Sequence, residues 1–206
     1  MSSFTDLFRA LLGLPLSEEV GSLGVPDQKC SDPRTEQLRQ YCIRTYAEVE
    51  SKEAESMIKR AFQLLVGDMG KTDVGIVSLG AKRLLLSKSK KEPTKDHFYR
   101  QTFVGKALFY NPSIFHDTAQ FETIIKASQA VIKITKAEHD KITGEQHPWT
   151  SRLYQDNDIK LFSHNKGVQG QEGYIHAWKK VTFAERSSDL TDLIIPEVLE
   201  LMEKHV

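Results

Sequence analysis

The residues best suited to acid–base or metal chemistry in this chain are its seven histidines. Imidazole titrates near neutral pH and binds transition metals, so its spacing from other ligands is informative. The chain contains neither an H-E-x-x-H pair nor the Glu-x-x-His pair of di-iron proteins. Glu138-His139-Asp140 places three polar groups in a row, but on a helix they would point in different directions. We therefore predict no metal, cofactor or catalytic site, and an enzyme remains an alternative whose residues meet only in the folded chain: His97, His116, His147, His164 and His176.

Three glycines, at positions 167, 170 and 173, form the only glycine-rich stretch of note. The chain has no G-x-S-x-G motif, no P-loop and no dinucleotide fingerprint. The stretch precedes a possible strand, whereas loops that cradle phosphates lead into helices. We therefore expect a hairpin loop at this place.

Residues 82–100 carry the strongest charge feature. Seven basic residues stand against Glu92 and Asp96, so the local excess is five positive charges. Phe98 and Tyr99 lie beside this cluster and could stack on bases. The segment predicts either a solvated connection between helices or a weak binding site for phosphate groups of RNA or anionic lipid. The candidate residues are Lys82, Arg83, Lys88, Lys90, Lys91, Lys95 and Arg100.

Residues 3–12, here called the arm, have a one-sided apolar stripe at helical spacing. Ser3 and Asp6 resemble a capping box, and Gly13 and Pro15 end the helix. A three-turn helix is marginal alone in water, so the arm must pack on its own core, in a groove of another molecule or copy, or on a membrane. The membrane is disfavoured because its polar face lacks the usual lysines and arginines. The stripe consists of Phe4, Leu7, Phe8, Leu11 and Leu12.

The composition limits the remaining classes. The 28 basic and 28 acidic residues give a formal net charge of zero. This balance argues against a dedicated nucleic-acid binder and mildly favours self-association. No apolar run approaches the ~20 residues that cross a bilayer, and Asp6 and Arg9 interrupt the N-terminal apolar residues, so we expect a cytoplasmic protein. Cys30 and Cys42 do not have a C-x-x-C spacing, and Cys42 is expected to be a buried apolar residue.

The predicted fold is mainly α. We expect residues 1–34 to form an amphipathic helix with a flexible linker, and residues 35–206 to form a single helical domain of about six helices with a small β-hairpin in the C-terminal third. The longest element is one helix over residues 117–142, capped by Asp117, with Lys133 on its exposed face. Residues 130–135 also alternate like a strand, but the flanks favour a helix.

Several shorter elements surround this central helix. Residues 35–66 predict two helices with a break near Ser51. They are followed by a helix over 73–88, capped by Asp73, and by another over 97–110, which ends at the Asn111-Pro112 stop. A hairpin of residues 159–162 with 174–183 comes next. The last element is a helix over 187–206 that is interrupted or restarted at Pro196. For residues 174–183 a helix remains an alternative to a strand.

The function expected from these patterns is non-enzymatic. The leading hypothesis is a structural or scaffold protein that self-associates, or docks a partner with an apolar groove, through its N-terminal helix. The first alternative is a packaging protein that binds RNA or an anionic membrane through residues 82–100. The second alternative is an enzyme whose site is not visible in the sequence.

Overall fold

A computed structural model describes residues 29–47, 52–87, 91–143, 151–165, 178, 181–188 and 190–204. The arm and most of the linker lie outside these residues, so the predictions made for them stay predictions. Within the described residues the chain forms eight α-helices and five β-strands, with short 3-10 helices at Pro112–His116 and Thr191–Leu193.

The helices and strands alternate along much of the chain. The helices are α1 (Pro33–Tyr46), α2 (Lys52–Asp68), α3 (Leu79–Leu86), α4 (Gln101–Tyr110), α5 (Thr118–Gln129), α6 (Lys136–Ile142), α7 (Ser151–Asp156) and α8 (Pro196–Glu203). The strands are β1 (Thr72–Ser78), β2 (Thr94–His97), β3 (Ala130–Ile134), β4 (Leu161–His164) and β5 (Phe183–Arg186).

All five strands join one mixed sheet in the order β2-β3-β1-β4-β5. The β1 and β3 strands are parallel, and the other neighbouring pairs are antiparallel. The prediction of a mainly helical domain with a small hairpin is therefore wrong. The β4–β5 pair corresponds to the expected hairpin, but it is the edge of a larger sheet that also includes three strands the sequence analysis did not assign.

The two faces of the sheet differ. One face contributes Ile76, Ile132 and Leu161 to the main core, where the helices bury residues such as Phe62 and Ile125 at 0% exposure. The other face carries a smaller apolar cluster centred on α3, in which Val77, Ala81 and Leu85 are buried. Period-2 side-chain alternation explains the division, because successive residues of a strand point to opposite faces.

The predicted central helix is wrong. Residues 117–142 form α5, then β3, then α6. Asp117 caps α5 as expected, since its side chain accepts a hydrogen bond from Gln120 N at 2.9 Å. A second helix start lies inside the range, where Thr135 and Glu138 form a reciprocal capping box. The alternating residues between these helices are β-branched or apolar and fit a buried strand better than a helix interior.

The predicted helix over 73–88 is also wrong in its first half. Residues 72–78 form β1, and α3 begins only after Ser78, whose Oγ accepts a hydrogen bond from Ala81 N at 3.0 Å. Gly75 has a positive φ of 78° and lies where the β1–β3 register shifts, as in a β-bulge. Gly75 is thus part of an irregular strand, where glycine takes a positive φ without strain.

Other predictions are confirmed. The two helices of 35–66 are α1 and α2, and the strand near 159–162 is β4. The restart at Pro196 is confirmed, because Pro196 is the first residue of α8. The predicted helix 97–110 begins four residues later, at Gln101. In the predicted strand 174–183, only Phe183 belongs to β5. Residues 181–182 are not strand, and 166–177 lie outside the described residues. Cys42 is buried at 0% exposure, and both cysteines are free thiols.

The placement of Lys133 on a solvent-exposed face is wrong. Lys133 lies on β3 and forms an ion pair with Asp73 of the neighbouring strand, with both side chains nearly buried. His164 lies on β4 with Nε2 3.9 Å from Asp73 Oδ1. Trp178 covers this group, since its ring centroid is 5.3 Å from Lys133 Nζ and 5.1 Å from the His164 ring. The second sheet face therefore buries a charged group beside its apolar cluster.

Candidate functional site

The best candidate for a binding site is an open cleft of about 570 Å³ at the β2 edge of the sheet, here called the basic cleft. Its walls are formed by the end of α2, Lys71 just before β1, strand β2, the start of α4 with the preceding Arg100, and one residue of α6. The lining residues are Gln63, Leu64, Gly67, Asp68, Lys71, Lys95, Asp96, His97, Arg100, Gln101, Thr102 and His139.

Asp96 is the anchor of one wall. Its Oδ2 accepts a hydrogen bond from the Tyr154 hydroxyl at 2.6 Å, and its Oδ1 lies 3.5 Å from His139 Nε2. Burial raises the pKa of Asp96 above its ordinary value, although the Tyr154 hydrogen bond and the nearby His139 and Arg100 act in the opposite direction. The carboxylate therefore holds two surrounding side chains in place and is largely withdrawn from solvent.

His97 forms the adjoining part of the wall, and its hydrogen bonds define its tautomer. Its Nδ1 lies 2.8 Å from Ser128 O, and because a carbonyl oxygen can only accept, Nδ1 carries the proton. Nε2 is then free to accept a hydrogen bond from the Gln101 amide at 2.9 Å. Burial lowers the pKa of His97, and the positive charge of Lys71 lowers it further. His97 is thus a neutral imidazole at neutral pH and supports Gln101.

Gln101 is packed tightly against the opposite wall. A Cβ atom placed on Gly67 of α2 would come within 2.8 Å of Gln101 Oε1. The absence of a side chain at Gly67 therefore leaves room for the Gln101 amide that hydrogen-bonds to His97.

The N-terminus of α4 opens into the basic cleft, because its first residues, Gln101 and Thr102, line it. Within the described chain, no side chain caps this helix end. Arg100 precedes it and donates a hydrogen bond from Nη2 to Thr143 O at 3.0 Å. An uncapped helix N-terminus carries a partial positive charge and free N–H groups, so it adds to the attraction for an anion.

Two lysines complete the positive charge. Lys71 and Lys95 are exposed, and neither forms an ion pair with another described residue. Together with Arg100 they provide three cations against two carboxylates, the exposed Asp68 and the largely withdrawn Asp96. The basic cleft can therefore attract a phosphate group electrostatically, with the N–H groups at the start of α4 as hydrogen-bond donors.

The basic residues predicted from the sequence do not all converge. Lys95 and Arg100 line the basic cleft. Lys82 lies on α3 instead, with Nζ 4.0 Å from the ring centroid of Phe162. The remaining positions are the exposed Arg83 and Lys91, and Lys88 and Lys90, which lie outside the described residues.

The idea that Phe98 and Tyr99 stack on bases is wrong. Their exposed fractions are 0% and 1%, and the two rings pack edge to face with centroids 4.9 Å apart in the core. Tyr99 also accepts a hydrogen bond at its hydroxyl from Ile195 N at 2.7 Å. Both residues belong to the turn between β2 and α4, but their rings pack into the core. They therefore cannot contact a ligand in the basic cleft.

The candidate histidines are likewise dispersed. Of the five, only His97 lines the basic cleft, whereas His116 is exposed at the end of a 3-10 helix and His164 is buried on β4. His147 and His176 lie outside the described residues. Among the residues that the structure describes, no three His, Cys, Asp or Glu side chains are grouped so that they could hold a metal ion.

Sequence reasoning missed Lys71, His139 and the role of Asp96. Lys71 immediately precedes β1, which was assigned to a helix, so nothing placed it beside β2. His139 was examined only together with its sequence neighbours. The Thr135-x-x-Glu138 capping box is the signal that could have located α6, and with it His139, because the box fixes where the helix starts.

No protein-family model, curated protein or solved structure matches this chain. None of the helices in the described part of the chain is long and apolar enough to cross a membrane.

Proposed function

We propose that the protein binds the phosphate backbone of single-stranded RNA in the basic cleft. The observation that carries this proposal is the convergence of Lys71, Lys95 and Arg100 on one open cleft that also receives the N-terminus of α4. Lys95 and Arg100 come from one charged segment, whereas Lys71 comes from an earlier part of the chain and joins them only through the fold.

The shape of the site favours a polymer backbone over a membrane. A bilayer presents a broad surface of headgroups, whereas a concave cleft admits a narrow chain and surrounds it. Leu64, 45% exposed, is the one large exposed apolar side chain among the lining residues, which gives little area for insertion among lipids. Because Phe98 and Tyr99 are buried, the binding is expected to rely on phosphates and to show little base preference.

Binding of this kind should be weak and sensitive to salt. Phosphate contacts made by lysine release counterions, and their contribution falls as the salt concentration rises. The zero net charge of the whole chain adds no general attraction for a polyanion. The affinity should therefore depend on the few cations of the basic cleft, which makes charge substitutions a sharp test.

The experiment compares two variants that lose the same charge. Lys71→Gln with Lys95→Gln removes two exposed cations of the basic cleft, and Lys126→Gln with Lys160→Gln removes two exposed cations elsewhere. Fluorescence anisotropy with a labelled oligouridylate at about 50 mM salt should show weaker binding only for the first variant. Equal binding by both variants would overturn the proposal, and binding to phosphatidylserine vesicles but not to the oligouridylate would assign the cleft to membranes.

Assembly through the arm remains a second candidate function. It is supported by the apolar stripe of residues 3–12, which needs a packing partner, and by the zero net charge of the chain. Concentration-dependent mass in solution tests this function independently of RNA binding.

A further inference from the structure

Helices α2 and α4 pack side by side in opposite directions, and the line where they meet, here called the seam, leads out of the basic cleft. At one end of the seam, Gln63 Nε2 donates a hydrogen bond to Thr102 Oγ1 at 3.0 Å. At the other end, Lys59 Nζ donates to the Tyr110 hydroxyl at 2.9 Å. Because Gln63 and Thr102 also line the basic cleft, the seam and the basic cleft form one continuous surface.

The solvent-facing side of α4 is a single stripe of side chains that follows the seam. Residues 103–105 and 107–109 are buried, which leaves Thr102, Lys106 and Tyr110 on one face, spaced by about one turn. Tyr110 is eight residues after Thr102, which corresponds to about 12 Å along the helix axis. The stripe therefore continues the surface of the basic cleft over that distance.

The seam carries positive charge. Arg60 is exposed on α2, and its Nη1 donates a hydrogen bond to Gln63 Oε1 at 2.7 Å, which holds the guanidinium at the exit of the basic cleft. Lys106 is half-buried on the stripe of α4. Lys59 forms an ion pair with Glu55 at 2.8 Å, so these two residues add no net charge. Arg60 and Lys106 therefore extend the positive charge of the basic cleft along the seam.

Tyr110 ends the seam with an accessible aromatic ring. It is 43% exposed, and it is the one aromatic residue among the large hydrophobic residues that the described part of the chain exposes. Its hydroxyl accepts the hydrogen bond from Lys59 and donates one to Glu55 Oε1 at 3.1 Å, so the orientation of the ring is held. Lys59 Nζ also lies 5.1 Å from the ring centroid. An accessible, oriented ring beside a cation is suited to stacking a base of a nucleic-acid strand.

We propose that a single RNA strand leaves the basic cleft along the seam and stacks a base on Tyr110. This inference rests on the proposed function, because it extends the path of the same strand. Arg60 and Lys106 contact phosphates between the basic cleft and Tyr110. Stacking on an aromatic ring tolerates every base, since every base has a π-face, so the strand is bound with little base preference. The ligand is therefore a strand of several nucleotides, because a mononucleotide reaches only one end of the site.

Two labelled oligomers of equal length separate base stacking from phosphate binding. One is an oligouridylate of about eight nucleotides, and the other is an abasic ribose-phosphate oligomer. In fluorescence anisotropy at about 50 mM salt, the wild type should bind the oligouridylate at least about fivefold more tightly than the abasic oligomer. Tyr110→Leu should remove this difference, whereas Tyr110→Phe keeps the ring and should preserve it.

The charge of the seam is tested with Lys106→Gln, which should reduce the magnitude of the salt slope for both oligomers by about 0.7. Lys126→Gln, at an exposed position of α5, is the matched control and should leave the slope unchanged. Circular dichroism should show that all these variants are folded, because none of the altered side chains is fully buried.

Equal affinity of the wild type for the two oligomers would overturn the proposal, as would a preference for the oligouridylate that Tyr110→Leu leaves intact. If Lys71→Gln with Lys95→Gln still weakened the binding of both oligomers, RNA binding in the basic cleft would stand without the seam. Failure of the folded wild type to bind either oligomer would overturn both the seam and the proposed function.

Discussion

Lys133 on β3 and Asp73 on β1 form an ion pair within the sheet, with side chains only 7% and 8% exposed. The pair lies next to His164 and Trp178, on the face opposite the main core. Burying a charged pair requires both partners, because the loss of one leaves the other without compensation in a medium of low polarity. The pair therefore makes the alignment of β1 with β3 sensitive to a single substitution.

Lys133→Ala should destabilise the protein by about 3–5 kcal/mol, since Asp73 would keep a buried charge without its partner. Lys136→Ala, at a side chain 84% exposed, is the control and should change the free energy of unfolding by no more than about 0.5 kcal/mol. Urea denaturation measures both. Equal stability of the two variants would mean that the ion pair does not contribute to holding β1 and β3 together.

Gly105→Ala should destabilise the protein even though alanine favours helices. A Cβ at Gly105 of α4 would come within 2.9 Å of the Gln63 backbone nitrogen in α2, which cannot move away cheaply. The overpacking cost of about 1–3 kcal/mol should exceed the gain of about 1 kcal/mol in helix propensity.

Gly67→Ala is the matched control, because its Cβ would meet only the end of the flexible Gln101 side chain. The lost Gln101–His97 hydrogen bond and the gained helix propensity should nearly cancel, to within about 1 kcal/mol. If thermal denaturation showed that Gly105→Ala is the more stable variant, the close approach of α2 to α4 would be incorrect.

Acidification should destabilise the protein through His97. Burial lowers its pKa below the ordinary value of 6.5, so the unfolded chain takes up a proton before the folded one does. The stability associated with neutral His97 is complete above pH 6.5 and is lost as the pH falls from 6.5 towards the lower pKa of the folded state. Denaturation at several pH values across this range should show that the free energy of unfolding changes less with pH for His97→Gln than for the wild type. An identical pH dependence in the two proteins would contradict the burial of His97 as a neutral group.

Phe8→Asp should abolish assembly without unfolding the protein. If assembly uses the arm, the wild type should gain mass with concentration in light scattering, whereas the variant should stay monomeric, because a buried unpaired carboxylate is costly. Deletion of residues 1–13 should act in the same way. The same mass for wild type and variant at every concentration would exclude the arm as the assembly contact, and unfolding of the variant would place the arm in its own core.

Local signals in the sequence identified several helix boundaries. Asp117 and Pro196 mark true helix starts, because capping and the fixed φ of proline act over only a few residues. The stretch 130–135 was predicted to be helical because its flanks are helical. The spacing of apolar residues alone does not distinguish a buried strand from a helix. Whether such a stretch becomes a strand depends on neighbours such as β1, from which it is separated by more than 50 residues along the chain.

The basic cleft was only partly visible for the same reason. Lys95 and Arg100 stood out as part of a charged segment, whereas Lys71 lies among ordinary residues and reaches the site only because β1 enters the sheet nearby. Phe98 and Tyr99 looked suitable for stacking because sequence proximity does not reveal which side of the turn faces solvent. Charge density is readable from sequence, but convergence of charges depends on the order of strands in the sheet.

The salt dependence of RNA binding is the most direct test of the proposed function. Each phosphate contact on a single strand contributes about −0.7 to the slope of log Kobs against log salt concentration. The double variant Lys71→Gln with Lys95→Gln should therefore reduce the magnitude of the slope by about 1.4 relative to the wild type. Lys126→Gln with Lys160→Gln should keep the wild-type slope. Equal slopes for all three proteins, or no binding of oligouridylate by the folded wild type at about 50 mM salt, would contradict RNA binding in the basic cleft.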